Sequence, residues 1–346
     1  MSERITPYAH LHTSLNGPGD QRPTALQIIE DENLIGKWTD KVIFITGANQ
    51  GIGLETARAL HATGATLYLG VRTVAKGEAA RSSILSTSPS RSPINLITLS
   101  LDSLASVRAA AAAFLAQSST LNILVNNAGI MASAHALTSN GYESQFATNH
   151  LGHFLLTSLL LPALAAGSMP DFASRVVNLS SAGHKAHSDG QIDLSDLSWE
   201  RRGYNPWKAY GAAKTANVLH ANRLDALYGT SSRPVHGLSV NPGGIFTGLF
   251  NNVSEEERKA YEKMRHIFKS PEQGAATTVW CATAKALEGK GGLYCEDCGE
   301  AAPAEMDEET GVWKRRDITY APWAKGDVEA EKQLWEVSER MTGLRE

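Results

Sequence analysis

The sequence predicts an α/β fold: a single doubly wound domain whose mostly parallel sheet is flanked by helices, with N- and C-terminal extensions. Three observations carry that prediction. The apolar run Val42-Ile43-Phe44-Ile45 stops at the glycine-rich stretch 46–53, and helical spacing follows over 54–60, which reads as strand, tight turn, helix. Downstream, short apolar runs keep alternating with helical stretches, so right-handed crossovers between parallel strands cover both sheet faces. Small polar residues close several runs, at Asn126-Asn127-Ala128-Gly129, Ser180-Ser181 and Asn241-Pro242-Gly243. That is the side on which open α/β sheets bind ligands.

Each element follows in order. Residues 1–38 read as a polar, proline-bearing leader ending in a short helix around 24–29. Residues 67–71 give a second strand, followed by a polar helix and the Ser/Pro loop 86–93. A third strand spans 94–99, and the alanine-rich stretch 104–116 is a helix with Ser103 as N-cap. Residues 121–125 are a fourth strand, 141–166 a long helix, 175–179 a fifth strand, 207–228 a helix and 235–240 a sixth strand. A short strand near Gly292-Leu293-Tyr294 closes the sheet. Two polar insertions, 183–206 and 244–270, interrupt the alternation, and the second carries the charged run 254–259, read as an N-capped solvated helix. The tail holds Trp313, Trp323 and Trp335 and an amphipathic helix over 327–341, expected to pack onto the domain.

Composition excludes several classes. A net charge of −4 leaves no basic footprint for nucleic acid. The polar N-terminal stretch has no secretory pattern, and the greasy segment 154–166 is shorter than the roughly 20 residues a bilayer needs, so no membrane span is expected. A buried or interface helix and a cytoplasmic location are expected instead. Three cysteines make no disulfide framework, and Cys295-x-x-Cys298 lacks a second ligand pair at metal spacing. Both are read as thiols in a loop, and no metal is assigned.

The chemistry begins at the glycine turn. Glycines 47, 51 and 53 allow a sharp turn and close approach, and the following helix offers free N–H groups to a phosphate. Gly47, Asn49, Gln50, Gly51, Ile52 and Gly53 are therefore candidates for a dinucleotide pyrophosphate in a Rossmann domain, with a ligand-free tight turn as the ordinary alternative. The second strand ends Gly70-Val71-Arg72, with no acid to grip a ribose 2′-hydroxyl and a guanidinium suited to a 2′-phosphate. This predicts NADP(H) over NAD(H), with Lys76 assisting; the alternative is a solvated Arg72. Tyr210 and Lys214 stand four residues apart on one helix face. A free phenol titrates near pH 10, and a nearby ammonium together with an oxidised nicotinamide favours the phenolate, which is the tuning a proton shuttle needs. A surface Tyr/Lys pair is the bland reading.

Taken jointly, these residues resemble the short-chain dehydrogenase/reductase family over about 39–300, and within it the retinol-dehydrogenase-like branch. The carrying motifs are the Gly-x-x-x-Gly-x-Gly turn, Asn126-Asn127-Ala128-Gly129, Asn149-His150-Leu151-Gly152-His153-Phe154, and Trp207-Lys208-Ala209-Tyr210 leading into Lys214. The resemblance implies a Rossmann-type catalytic domain over 39–300 and leaves the 1–38 leader and the 301–346 extension unexplained by the core fold. It implies Tyr210 as general acid/base, Lys214 on the nicotinamide ribose, Ser181 rather than Ser180 orienting the substrate oxygen, and Asn149 supporting proton relay through Lys214. Asp102 stands at the adenine position, though Ser103 replaces an apolar neighbour, and Asn127, Ala128, Gly129, Pro242, Gly243, Ile245 and Thr247 complete the expected cofactor contacts. His184 and His187 are read as solvated loop residues, His150 and His153 as packed. The implied activity is NADP(H)-dependent interconversion of a carbonyl and an alcohol on a small hydrophobic molecule. Dehydration, epimerisation, cyclisation or non-catalytic nucleotide binding on the same fold are the alternatives. Relatives often dimerise through helices such as 141–166 and 207–228, so the lean is towards a homodimer. Residues 244–268 read as a flap hinged at Gly243-Gly244.

Overall fold

Alternation within each apolar run sets the sheet and its two cores. The computed structural model describes residues 4–186, 192–305 and 319–345. Among them, β1 (Val42–Thr46), β2 (Thr66–Val71), β3 (Ile94–Thr98), β4 (Ile123–Asn126), β5 (Ser174–Leu179), β6 (Val235–Asn241) and β7 (Leu293–Glu296) run parallel. Their order is 3-2-1-4-5-6-7, and β8 (Gly299–Glu300) adds a short antiparallel edge. The order reverses between β1 and β4, which opens the crevice where such sheets take ligands.

The helices follow as α1 (Ala25–Asp31), α2 (Gly51–Ala62), α3 (Val74–Thr87), α4 (Leu104–Leu115), α5 (Ser144–Gly167), α6 (Pro206–Tyr228), α7 (Glu255–Lys263), α8 (Ala276–Thr283) and α9 (Val328–Thr342). Successive strand residues point to opposite faces. Ile43 and Ile45 join Val177 and Val240 against α1, α2 and α8, with Trp280 fully buried there. Phe44 joins Leu124 and Val176 against α4 and α5, with Phe114 at the centre. Burying a side chain of this size contributes about 1.5–3 kcal/mol, so both faces add to stability.

Several readings need correcting or extending. The leader is no loose arm: Ile28 and Ile29 are fully buried, and Thr24 caps α1. α5 is longer than the greasy segment 154–166 and passes the length and composition test for a membrane span. With 67% of its apolar window buried against sheet and neighbours, it is packed as a core helix. Cys295 lies in β7 rather than in a loop, Cys298 sits in the tight turn before β8, and both are fully buried, as is Cys281. α8 went unread, although Ser270 and Gln273 make a reciprocal cap with Pro271 at the first helical position just before it. Trp313 and His187 fall outside the described residues.

Candidate active site

A cavity of about 1410 Å³ runs along the C-terminal ends of β1 to β7, each strand contributing the residues that follow its last hydrogen-bonded pair. One end is built on the glycine turn. An added Cβ at Gly53 would overlap the Gly47 carbonyl oxygen and Asn127 Nδ2, so only glycine lets α2 start this close to β4's exit. Asn127 in turn donates to the Thr46 carbonyl at 2.8 Å. Gln50, the N-cap residue of α2, makes no side-chain cap, so the first N–H groups of the helix face the cavity. Arg72 and Asp102 line the same end, both exposed, with Ser100 donating to Asp102 at 2.6 Å. Lys76 sits exposed on the first turn of α3 and does not line the cavity, so the structure brings Arg72 to the site without it.

The other end holds the phenol. Tyr210 is buried in α6, and Ser181 lies beside it in the cavity wall, close enough to act on its pKa. An added Cβ at Gly183 would press on the Tyr210 ring at 2.9 Å, so the turn after β5 can close over the phenol only with glycine there. Ser180 points elsewhere, donating to the Lys214 carbonyl at 2.8 Å. Lys214 donates to the Leu179 carbonyl at 2.9 Å, and its ammonium stands 5.6 Å from the Tyr210 ring centre. Burial raises the Tyr210 pKa to about 12, with Ser181 opposing it, and lowers that of Lys214 to about 8. In the protein by itself desolvation dominates the phenol; the expected lowering belongs to the state with the oxidised nicotinamide beside it.

Asn149 lies in a π-helical turn, Ala147–Leu151, within α5 and is fully buried behind the cavity wall rather than in it. Its amide clamps the Ile130 backbone, accepting at 2.8 Å and donating at 2.9 Å. An added Cβ at Gly129 would lie 3.1 Å from Asn149 Oδ1 and 3.5 Å from Lys214 Nζ, which measures how close the three come. His153 is packed beneath: its Nδ1 bonds the Asn149 carbonyl at 3.0 Å and its Nε2 the Thr46 hydroxyl at 2.8 Å. Burial lowers its pKa to about 4, so it is neutral. His184 is also buried, not solvated, held between the Ser181 carbonyl at 2.6 Å and the Ala321 N–H at 2.8 Å.

Pro242, Gly243, Ile245 and Thr247 line the cavity beyond β6, and the Thr247 methyl lies over Gly51. The segment that follows closes its apolar side on the phenol: Leu249, Phe250 and Tyr261 pack with Met131, Trp207 and Tyr210. Its charged side carries the capped helix α7, and Trp207 Nε1 donates to Glu257 at 2.8 Å. Buried Arg22 of the leader grips its far end through the Ile267 carbonyl at 2.9 Å and the Phe268 carbonyl at 2.5 Å. Residues the sequence did not single out also reach the cavity, among them His12, Leu15, Lys269, Glu296 and Asp297. They arrive by packing between distant segments, and no local motif marks them.

The lining fits a dinucleotide: a glycine cradle that a Cβ would fill, an uncapped helix N-terminus, a guanidinium at the β2 end, and the phenol–ammonium pair at the other. Comparisons with known proteins agree with this architecture. Residues 41–192 match the family model described as short chain dehydrogenase. The chain is 48% identical over 342 residues to the short-chain dehydrogenase/reductase prx1 of Penicillium rubens, covering 98% of this chain and 96% of that one. It is 42% identical over 259 residues to retinol dehydrogenase 12 of Mus musculus, covering 75% and 78%. A crystal structure of an uncharacterised protein from Mycobacterium paratuberculosis superposes with a TM-score of 0.66 at 32% identity, over 90% of this chain and 97% of that one.

Proposed function

This chain belongs to the short-chain dehydrogenase/reductase family, and from that premise we propose that it is an NADP(H)-dependent oxidoreductase interconverting a carbonyl and an alcohol on a small hydrophobic substrate. The observation that carries the reading is one cavity lined by Ser181, Tyr210 and Lys214 at one end and by the glycine cradle at the other. Gly47, Asn49, Gln50, Gly51, Ile52 and Gly53 would hold the pyrophosphate, Arg72 the 2′-phosphate, and Lys214 and Thr247 the nicotinamide half. When bound, the nicotinamide gives a hydride to the carbonyl carbon or takes one from the alcohol carbon.

Ser181 and Tyr210 supply the oxygen side of that exchange. With its pKa near 12, Tyr210 is a neutral phenol at physiological pH, able to donate its proton to the carbonyl oxygen as charge develops there. Ser181, which lines the cavity beside the phenol, would hold the same oxygen in line. Lys214 carries its charge at neutral pH and loses it as pH rises through about 8, so its support for the phenolate in alcohol oxidation is a property of the lower pH range. The apolar lining from Leu249, Phe250 and Tyr261 suits a hydrophobic substrate and keeps water from the reacting carbon.

The test is a panel of aldehydes, ketones and alcohols followed by NADPH absorbance, with Tyr210→Phe beside the native chain. Turnover that disappears in Tyr210→Phe while NADPH binding persists is the expected result. Native protein that turns over none of the panel, or a Tyr210→Phe enzyme that keeps near-native rates, overturns the proposal.

A further inference from the structure

Beyond the phenol, the cavity has a second polar corner that the reaction chemistry does not use. It is assembled from three distant segments: His12 of the leader, Lys269 at the end of the flap, and Glu296 and Asp297 at the exit of β7. Lys269 and Asp297 form an ion pair at 2.6 Å, and the lysine stem lies against Gly243, where an added Cβ would meet it at 3.1–3.2 Å. His12 is 8% exposed in its side chain and stands 3.2 Å from Asp297 through Nδ1. Its Nε2 has no hydrogen-bond partner among the described residues. Glu296 accepts from Asn241 at 2.7 Å through Oε1, while its buried Oε2 has no partner among the described residues. His12 Nε2 and Glu296 Oε2 thus lie buried in a cavity wall and unsatisfied, an arrangement that is unfavourable unless a ligand completes it.

We propose that His12, Lys269, Glu296 and Asp297 form a specificity subsite that binds a hydroxyl group of the substrate remote from the reacting carbon. The proposal rests on the carbonyl/alcohol reading above and names the kind of substrate it takes. A hydroxyl both donates and accepts, so it suits an unpartnered carboxyl oxygen such as Glu296 Oε2 or an unpartnered imidazole nitrogen such as His12 Nε2. The Lys269–Asp297 pair is internally neutralised, and a second carboxylate from a ligand would face Asp297 and Glu296, which disfavours an anion. Burial, with Asp297 adding to it, raises the Glu296 pKa to about 7, and a hydroxyl suits that carboxyl in either protonation state. Ser181 follows β5 and Glu296 ends β7, two strand spacings apart, so the remote hydroxyl lies roughly 10 Å from the reacting oxygen.

The experiment compares aliphatic aldehydes of that span with and without a terminal hydroxyl, measuring kcat/KM with NADPH. In parallel, thermal stabilisation by the matching alkanol and alkanediol is measured in the presence of NADP. The native protein is expected to prefer the hydroxylated member of each pair on the order of 10- to 100-fold. That ratio should fall towards one in His12→Phe and in Glu296→Leu, and recover partly in His12→Gln. Turnover without a preference for the hydroxyl overturns the subsite and leaves the catalytic reading standing. Absence of turnover, with a diol preference in stabilisation that depends on His12, overturns the catalytic reading and keeps the subsite. Neither turnover nor discrimination overturns both.

Discussion

Lowering the pH should destabilise this protein through its buried histidines, and His220 gives the sharpest test. It lies fully inside, with ring centres 5.3 Å from Phe154 and 5.8 Å from Trp335, and its Nδ1 faces the Asn178 amide nitrogen at 3.1 Å. That nitrogen also bonds the Asn217 carbonyl, and Asn178 Oδ1 is taken by Asn126, so the Asn178 N–H donates and Nδ1 accepts. A proton on Nδ1 would face a donor in an apolar pocket. Burial, with His153 adding to it, accordingly lowers the His220 pKa to about 3. The unfolded chain binds the proton near its ordinary 6.5 and the folded chain does not. Stability is therefore complete above pH 6.5 and falls as pH drops below it, by about 2 kcal/mol for this residue at about pH 5. His153 and His184, both near 4, lose similar amounts, while Glu296, raised to about 7, regains about 2 kcal/mol over the same range. For these four groups the net loss between about pH 7 and pH 5 is on the order of 4 kcal/mol, and His150 and His61, both lowered by burial, add to it. The assay is urea unfolding at both pH values by tryptophan fluorescence, for the native protein and His220→Asn, whose amide oxygen can replace Nδ1 as acceptor. The variant should start less stable but lose about 2 kcal/mol less on acidification. Equal losses in the two proteins would refute the reasoning.

Other perturbations separate the parts of the site. Lys214→Ala should weaken both NADPH binding and turnover, whereas Tyr210→Phe should cost turnover alone, on the order of 10² to 10⁴-fold; fluorescence titration alongside rates distinguishes them. Arg72→Ala should weaken NADPH roughly 10- to 100-fold and leave NADH affinity unchanged, and equal effects on both would remove Arg72 from the 2′-phosphate. Gly53→Ala should abolish cofactor binding, because its Cβ overlaps the Gly47 carbonyl and Asn127 and forces the cradle open; isothermal titration checks this. Residues 244–263 should gain protection from hydrogen exchange on adding NADPH and substrate, and Arg22→Met should loosen the same segment by removing its grip on Ile267 and Phe268. Identical protection in all three states would mean that the segment is a fixed surface element.

Local pattern alone determined the sheet, the glycine turn and the pairing of Tyr210 with Lys214. Period-two alternation in Val42-Ile43-Phe44-Ile45 decides which residues face which core, and four-residue spacing puts a phenol and an amine on one helix face, whatever surrounds them. Ser181 could be favoured over Ser180 only through the family resemblance; the tertiary structure supplies a physical difference, since the Lys214 carbonyl occupies the Ser180 hydroxyl. Burial is a property of packing between distant segments, and where it decides chemistry the sequence was silent or misleading. In the protein by itself it raises the Tyr210 phenol, it turns His184 from a solvated loop residue into a buried neutral one, and it puts Cys295 and Cys298 into the core. The corner formed by His12, Lys269, Glu296 and Asp297 shows the limit most plainly. His12 lies hundreds of residues before the other three, and only the docking of the leader against the β7 exit brings its imidazole into the same cavity wall as Glu296 and Asp297.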